Sequence, residues 1–168
     1  MTVMMKVAEA TAELIDRYAP DIEVPPPVVL EQTRRNLALR IGMLQEFGAV
    51  EPAELARLVG SAARNPASTV DNWRRADRIT TVRWKGRSLV PGFQLLASGQ
   101  PDPAVRGLLK ALRSYGMGDW EQALWFVVPC SALDGQRPVD RLLALREHPS
   151  EQHAAKLAAA TDLHRDWF

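Results

Sequence analysis

The sequence predicts a mainly α-helical protein of 168 residues with one short β-hairpin in its middle third. Apolar residues recur at helical spacing along most of the chain, which is the pattern of amphipathic helices packed around a core. Residues 79–84 are rich in β-branched and aromatic residues, a Lys-Gly-Arg turn follows, and residues 88–90 can return as a second strand. This pattern favours two paired strands. Hydrophobic residues make up 46% of the chain, which is enough for one good-sized domain or two small ones.

Charge is distributed unevenly along the chain. Eight basic residues and only two acidic ones lie between Arg57 and Arg87, whereas the segments before and after carry a small excess of acid. The formal net charge of +1 therefore conceals one basic segment. Clustered Lys and Arg side chains are typical of a nucleic-acid interface because they neutralise phosphates.

Residues 1–48 predict a pair of helices, which we interpret as the first domain. The apolar stripe of the first helix is formed by Val3, Val7, Leu14 and Tyr18. The proline run 25–27 ends this helix and forms a stiff connector. The stripe of the second helix, which ends at Gly48, is formed by Leu30, Leu37, Ile41 and Leu44. Two such helices cannot bury both apolar faces alone, so we expect them to pack on each other, on the next module or on a second copy of the chain. A homodimer is the expected oligomer.

Residues 49–97 predict a helix-turn-helix followed by a hairpin. Pro52 suits the first turn of a helix, and a second helix is expected from 68 to about 76 with Trp73 facing inward. Strands at 79–84 and 88–90 then surround the basic turn. This order is typical of a winged helix-turn-helix, in which the second helix enters the major groove and the hairpin contacts the backbone or the minor groove.

That arrangement predicts two groups of DNA contacts. The residues expected on the solvent side of the second helix, within reach of base edges, are Arg64, Ser68, Asn72 and Arg75. Asn pairs with adenine edges and Arg with guanine edges. The residues expected to hold phosphates are Arg74, Arg78, Lys85 and Arg87. A solvated surface whose charges cluster without a partner is the alternative interpretation.

Residues 98–168 predict a small helical bundle. The loop 98–103, rich in Pro, Gly and Ser, marks the boundary. Apolar spacing predicts helices over 105–112, 120–127 and 139–145, and an Ala-rich helix follows from about 150 to 160. Trp167 and Phe168 stand in a polar tail beyond it. Such an aromatic pair either folds back on the body or inserts into a partner.

The sequence gives no sign of an active site. It has no GxSxG, P-loop or GxGxxG motif, so we expect no enzyme and no cofactor. His148 and His153 are five residues apart and Cys130 lacks a CxxC companion, so no metal site is expected. The single cysteine suits a reducing cytoplasm. No apolar run approaches the roughly 20 residues of a membrane span, and no signal peptide is evident, so we expect a cytoplasmic protein without membrane contact.

Residues 119–145 read DWEQALWFVVPCSALDGQRPVDRLLAL. This segment resembles the toxin-binding domain of the Xre/MbcA/ParS-like antitoxins, in which a helix with Trp and Leu leads to a Pro-Asn-x-x-Leu-x-Gly turn and a Pro-hydrophobic-Asp-Leu-Leu start. The matching positions are Trp120, Leu124, Pro129, Leu133, Gly135, Pro138, Asp140, Leu142 and Leu143. Cys130 stands where the family usually has Asn, and Arg141 lies between Asp140 and the Leu pair, where the family pattern has no residue. Residues 73–95 are similar to the segment that precedes this domain in related chains.

The resemblance implies a type II antitoxin that binds and neutralises a RES-type, NAD-consuming toxin and represses its own operon by binding operator DNA. It assigns partner contacts, by position, to Trp120, Arg137, Arg165, Asp166, Trp167 and Phe168. Two alternatives stay open. One is a stand-alone winged-helix transcription regulator whose helical domain dimerises or binds another protein. The other is a helical adaptor whose basic module serves folding or an acidic protein partner.

Overall fold

The structure is a computed structural model that describes residues 26–162. Within them lie seven α-helices, namely α1 (Pro27–Phe47), α2 (Pro52–Leu58), α3 (Ala67–Arg75), α4 (Pro103–Ser114), α5 (Asp119–Trp125), α6 (Pro138–Glu147) and α7 (Glu151–Ala159). The strands are β1 (Ala49–Val50), β2 (Val82–Trp84) and β3 (Arg87–Pro91). The predicted class, mainly α with a winged-helix-like module, is confirmed. The helix predicted before the proline run lies outside the described residues.

The chain divides into two units, residues 1–36 and residues 37–168, and each is described by itself. The described part of the first is the beginning of α1, where Arg35 Nε lies 3.3 Å from Glu31 Oε1. The second unit holds the rest of α1, the sheet and α2–α7. The division follows residue 36, and the domain boundaries near residues 48 and 97 stay predictions. On the predicted apolar stripe of α1, Leu37 and Ile41 are exposed.

The middle of the second unit has the topology of a winged helix. The three strands form an antiparallel sheet in the order β1-β3-β2, with Ala49 opposite Pro91 and Val82 opposite Leu89. Between β1 and β2, the helices α2 and α3 pack against each other. β1 was not predicted, because two residues cannot display the alternating pattern of a strand.

The β2–β3 hairpin closes through a turn whose two central residues, Lys85 and Gly86, have φ values of 48° and 79°. Positive φ at both positions is the geometry of a type I′ turn, which matches the twist of the flanking strands. Glycine adopts it without steric cost, whereas Lys85 tolerates a less favourable backbone. The turn holds the Lys85 side chain at the exposed tip of the hairpin.

Core packing joins the winged helix to the C-terminal helices. The smaller of two buried clusters, under α2, α3 and the sheet, comprises Leu55, Ala56, Val70, Trp73, Ile79 and Val90. The larger one includes Met43 of α1 and Val82 of β2 together with residues of α4–α7. At its centre the Phe93 ring lies 5.9 Å from that of Phe47 and 4.8 Å from that of Phe126. Burial of each such side chain contributes about 1.5–3 kcal/mol. The winged helix and the C-terminal helices are therefore stabilised by one shared core.

Candidate nucleic-acid interface

α3 turns one face to the core and the opposite face to solvent. Val70 and Trp73 are its buried residues. At about 100° per residue, Ser68, Asn72 and Arg75 lie on the opposite side. Asn72 and Arg75 are exposed and Ser68 is half-buried. Three residues predicted to reach base edges thus share one face, and the fourth, Arg64, is exposed in the bend before α3. Asp71, which the prediction did not include, is exposed on the same face.

Local hydrogen bonds fix part of this face. Arg75 Nη1 donates to Asn72 Oδ1 at 3.0 Å, so both side chains already point in related directions. Ser68 Oγ donates to the carbonyl of Asn65 at 2.7 Å. Its hydroxyl proton is therefore used at the start of the helix, and only its acceptor capacity remains for a ligand.

The hairpin extends the basic surface beyond α3. Lys85 makes no hydrogen bond or ion pair with the rest of residues 26–162, and its side chain is exposed. Arg87 Nη1 lies 2.8 Å from Glu51 Oε1, although both side chains remain largely exposed. An ion pair between two exposed side chains is weak. A phosphate can therefore replace the Glu51 carboxylate as the partner of Arg87.

Two of the arginines predicted to hold phosphates have partners within the chain. Arg74 Nη2 lies 3.1 Å from Asp119 Oδ2 at the start of α5. The Arg78 guanidinium stacks over the Trp73 ring at 5.6 Å. Their assignment to phosphates stays a prediction, but the geometry gives both a packing role that the sequence prediction lacked.

Arg113 of α4 closes the C-terminal end of α3. Its guanidinium donates to the carbonyl of Arg74 at 2.8 Å and to that of Ile79 at 3.1 Å, and pairs with the Asp77 carboxylate. Asp77 has a φ of 57°, so the chain leaves α3 through a left-handed residue. A cation here satisfies carbonyls at the helix end and complements its dipole. Arg113 was missed because it is 36 residues from Asp77 in sequence, beyond any local pattern.

Six of the arginine and lysine side chains around this interface therefore fall into two sets. The solvent-facing set, which meets no carboxylate among the described residues, consists of Arg64, Arg75 and Lys85. The packed set, which contacts other parts of the chain, consists of Arg74, Arg78 and Arg113. The solvent-facing set keeps its charge available to a ligand.

Trp120, predicted to meet a partner protein, connects α5 to the hairpin. Its Nε1 donates to the carbonyl of Arg83 at 3.0 Å, and its ring meets Trp84 edge to face at 6.1 Å. The Arg40 guanidinium of α1 lies 4.8 Å from the same ring. These contacts leave the side chain half-buried and assign it to the support of the hairpin.

Arg137, the other predicted partner contact within the described residues, joins α1 to α6. Two N–H groups bind the Glu46 carboxylate at 2.8 Å, and two bind that of Asp140 at 2.7 and 2.8 Å. The hydrogen bonds that Arg137 donates to Asp140 and Glu46 raise the pKa of Arg137, and those to Glu46 lower the pKa of Glu46. Four of its five donors are thus in use. The remaining predicted partner contacts, Arg165, Asp166, Trp167 and Phe168, lie outside the described residues.

Among residues 26–162, no group of three or more His, Cys, Asp and Glu side chains is placed to hold a metal ion. No helix of that range is long and apolar enough to cross a membrane.

Comparison with known proteins bears on the fold. No protein-family model and no curated protein matches the chain. Among solved structures, the chain is similar to the NMR structure of Rv2175c, with 27% sequence identity and a TM-score of 0.51. The match covers 68% of this chain and 82% of that one. This likeness agrees with the α-rich, winged-helix-like architecture.

Proposed function

We propose that the chain binds double-stranded DNA through α3 and the β2–β3 hairpin. The observation that carries the proposal is the solvent-facing set. Arg64, Arg75 and Lys85 lie on the recognition side of a winged helix and have no acidic partner among residues 26–162. Cations without acidic partners on a helix face and at a hairpin tip bind favourably to the phosphate backbone of DNA.

The dimensions and chemistry of α3 suit the major groove. An α-helix with its side chains is about 10–12 Å across, and the major groove is about 12 Å wide. Asn72 offers donor and acceptor atoms for an adenine edge, and Arg75 offers a bidentate donor for guanine. Asp71 on the same face disfavours close approach to a phosphate, which directs this part of the helix toward base edges.

The hairpin supplies the second contact. We expect Lys85 at its tip to meet the DNA backbone next to the groove that α3 enters, and Arg87 on the adjoining strand to add a second phosphate contact. Trp120 and Arg113 hold the hairpin and the end of α3, so little conformational freedom is lost when DNA binds.

Fluorescence anisotropy with a labelled random-sequence duplex, measured at rising salt, tests this function. We expect affinity that falls steeply with salt because phosphate contacts release counterions. Polyglutamate of matched charge is the competitor that separates DNA binding from attraction to any acidic polymer. Displacement of DNA by polyglutamate at equal charge concentration would favour the adaptor interpretation, and failure to bind the duplex at low salt would refute DNA binding.

We propose in addition that the protein is a cytoplasmic type II antitoxin whose C-terminal helices bind a RES-type toxin. The support is the resemblance of residues 119–145 and the way this segment folds. Leu133 is buried, Asp134 and Gly135 turn through φ values of 57° and 77°, and Pro138 opens α6. The matched residues would shape the domain, and residues 165–168 would supply toxin contacts. The exposed stripe of α1 supports a homodimer that carries two DNA-binding modules.

Co-expression with the product of the adjacent gene tests the antitoxin proposal. A toxic neighbour that forms a stable complex with this chain, and whose toxicity the chain relieves, is the expected result. A chain that binds DNA but has no toxic neighbour and no complex would instead be a stand-alone transcription regulator.

A further inference from the structure

Asp71 is an acidic residue on the solvent-facing side of α3, and it has no partner among residues 26–162. Three other carboxylates near the interface each pair with an arginine, namely those of Glu51, Asp77 and Asp119. Asp71 makes no hydrogen bond or ion pair with any described residue, and its side chain is exposed. Its carboxylate is therefore open to a ligand.

The contacts within α3 do not explain an acidic residue at this position. A carboxylate stabilises a helix from its first turn, but the first turn of α3 contains no acidic residue, and Asp71 follows it. Arg75 stands four residues further along, at the spacing of a helical ion pair. Its Nη1 donates instead to Asn72 Oδ1, at 3.0 Å. Neither the helix dipole nor an ion pair within the helix accounts for the carboxylate.

A carboxylate on a recognition helix distinguishes between the four bases. An ionised carboxylate only accepts hydrogen bonds. In the major groove guanine presents the acceptors O6 and N7, and thymine presents the acceptor O4. Adenine places the acceptor N7 beside its amino group, whereas cytosine presents the N4 amino group as a donor alone. Cytosine is therefore the base that best matches a carboxylate at this position.

On the basis of the DNA binding proposed above, we propose that the Asp71 carboxylate accepts a hydrogen bond from the N4 amino group of a cytosine. Asp71 thereby determines one base pair of the preferred DNA sequence. Arg75, which we expect to contact guanine, lies about 6 Å further along the helix, at about 1.5 Å per residue. Successive base pairs are about 3.4 Å apart. We expect the cytosine about two base pairs from the guanine that Arg75 contacts.

Selection of preferred duplexes from a random library, run in parallel with the unmodified chain and with Asp71→Asn, tests the proposal. Asn has nearly the same size as Asp, but its amide also donates and pairs with adenine. We expect the unmodified chain to enrich cytosine at one position, and Asp71→Asn to lose that enrichment in favour of adenine. The other enriched positions should be the same for both chains.

Fluorescence anisotropy with the selected duplex measures the effect on affinity. Replacement of the cytosine by thymine, with its partner base changed to match, should weaken binding of the unmodified chain about tenfold, because an acceptor then faces the carboxylate. The same replacement should change the affinity of Asp71→Asn by less than about twofold, since an amide can donate to thymine O4. Asp71→Asn should also bind random duplexes more tightly, because a charge that repels phosphates is gone.

Glu147→Gln is the matched control, because it removes the same charge from an exposed position at the end of α6. It should select the same sequence as the unmodified chain. An unmodified chain that binds DNA without enriching cytosine, or an Asp71→Asn chain that selects the original sequence, would overturn the assignment of Asp71 and leave DNA binding in place. A change at every enriched position would also overturn it, since Asp71 would then position the whole helix. Failure of the unmodified chain to bind any duplex would refute the proposed function and the assignment together.

Discussion

The two sets of basic side chains around α3 differ in what they contact, although the sequence presents them as one cluster. Arg75 and Lys85 face solvent and meet no carboxylate among residues 26–162. Arg74 pairs with Asp119. Arg113 pairs with Asp77 and donates to backbone carbonyls at the end of α3. Positive charge alone therefore does not define the interface. We infer that the solvent-facing set binds DNA and the packed set holds the recognition helix in position.

The degree of burial sets the size of the effects expected from each set. The side chains of Arg113 and Asp77 are 25% and 28% exposed, so removal of one leaves the other partly desolvated. The solvent-facing residues are surrounded by water in the free chain, and their removal leaves no unpaired group behind.

The largest expected effect follows Arg113→Met. This change removes the donor that satisfies the carbonyls of Arg74 and Ile79 and leaves the Asp77 carboxylate unpaired. We expect the free energy of unfolding, measured with urea, to fall by about 2–3 kcal/mol, and DNA affinity to fall with it. Lys110→Met, an exposed change on the same helix, should stay within about 0.5 kcal/mol. Equal stability of the two variants would show that the packed set does not support α3.

Arg75→Ala tests the other side of the comparison. We expect binding to the preferred duplex, selected from random sequences, to weaken by about 1–3 kcal/mol because a base contact is lost. The urea midpoint should be nearly unchanged, since among residues 26–162 the Arg75 side chain donates a hydrogen bond only to Asn72. A variant that lost stability but kept its DNA affinity would place Arg75 in the packed set.

Lys85→Ala should have a smaller and more uniform effect. A phosphate contact carries no sequence information, so affinity should fall equally for preferred and random duplexes. The dependence of log affinity on log salt should become less steep by about one. A change in sequence preference would instead assign the hairpin tip to base recognition.

The smallest effect concerns Glu46, a carboxylate held by an arginine far from the interface. Its pKa lies below the ordinary 4.5, chiefly because Arg137 donates hydrogen bonds to it. The Glu46–Arg137 pair therefore stabilises the fold fully at pH values above the ordinary pKa of Glu46. This stabilisation is lost as the pH falls through the lowered pKa that Glu46 has in the folded chain. Thermal unfolding should show Glu46→Gln less stable at pH 7, with the difference vanishing in acid. Glu147→Gln is the control, and a difference that grew in acid would contradict the assignment.

Much of the fold follows from local patterns. Val70 and Trp73 at helical spacing predicted α3, and the β-branched and aromatic residues 79–84 followed by Lys85-Gly86 predicted the hairpin. The helix ends near Gly48 and Gly116 were predicted as well, and both glycines have positive φ. β1 was not predicted because its two residues form a strand only by pairing with β3, which lies far along the chain.

The candidate site was less predictable, because its division into two sets depends on contacts distant in sequence. Trp120 and Arg83 are 37 residues apart, and Arg74 and Asp119 are 45 apart. One signal was present in the sequence. A helical projection places Arg74 beside buried Val70 and away from Arg75, which already indicates different surroundings for the two arginines.

The most direct test of the division between the solvent-facing and the packed set is the salt dependence of duplex DNA binding by the Arg75→Ala/Lys85→Ala double variant. We expect the unmodified chain to bind with a steep salt dependence. The double variant should lose about one phosphate equivalent of that slope, from Lys85, and part of the sequence preference, from Arg75, while its unfolding free energy stays unchanged. An unmodified chain that does not bind DNA, or a double variant with the original slope, would contradict the proposal that the solvent-facing set forms the DNA interface.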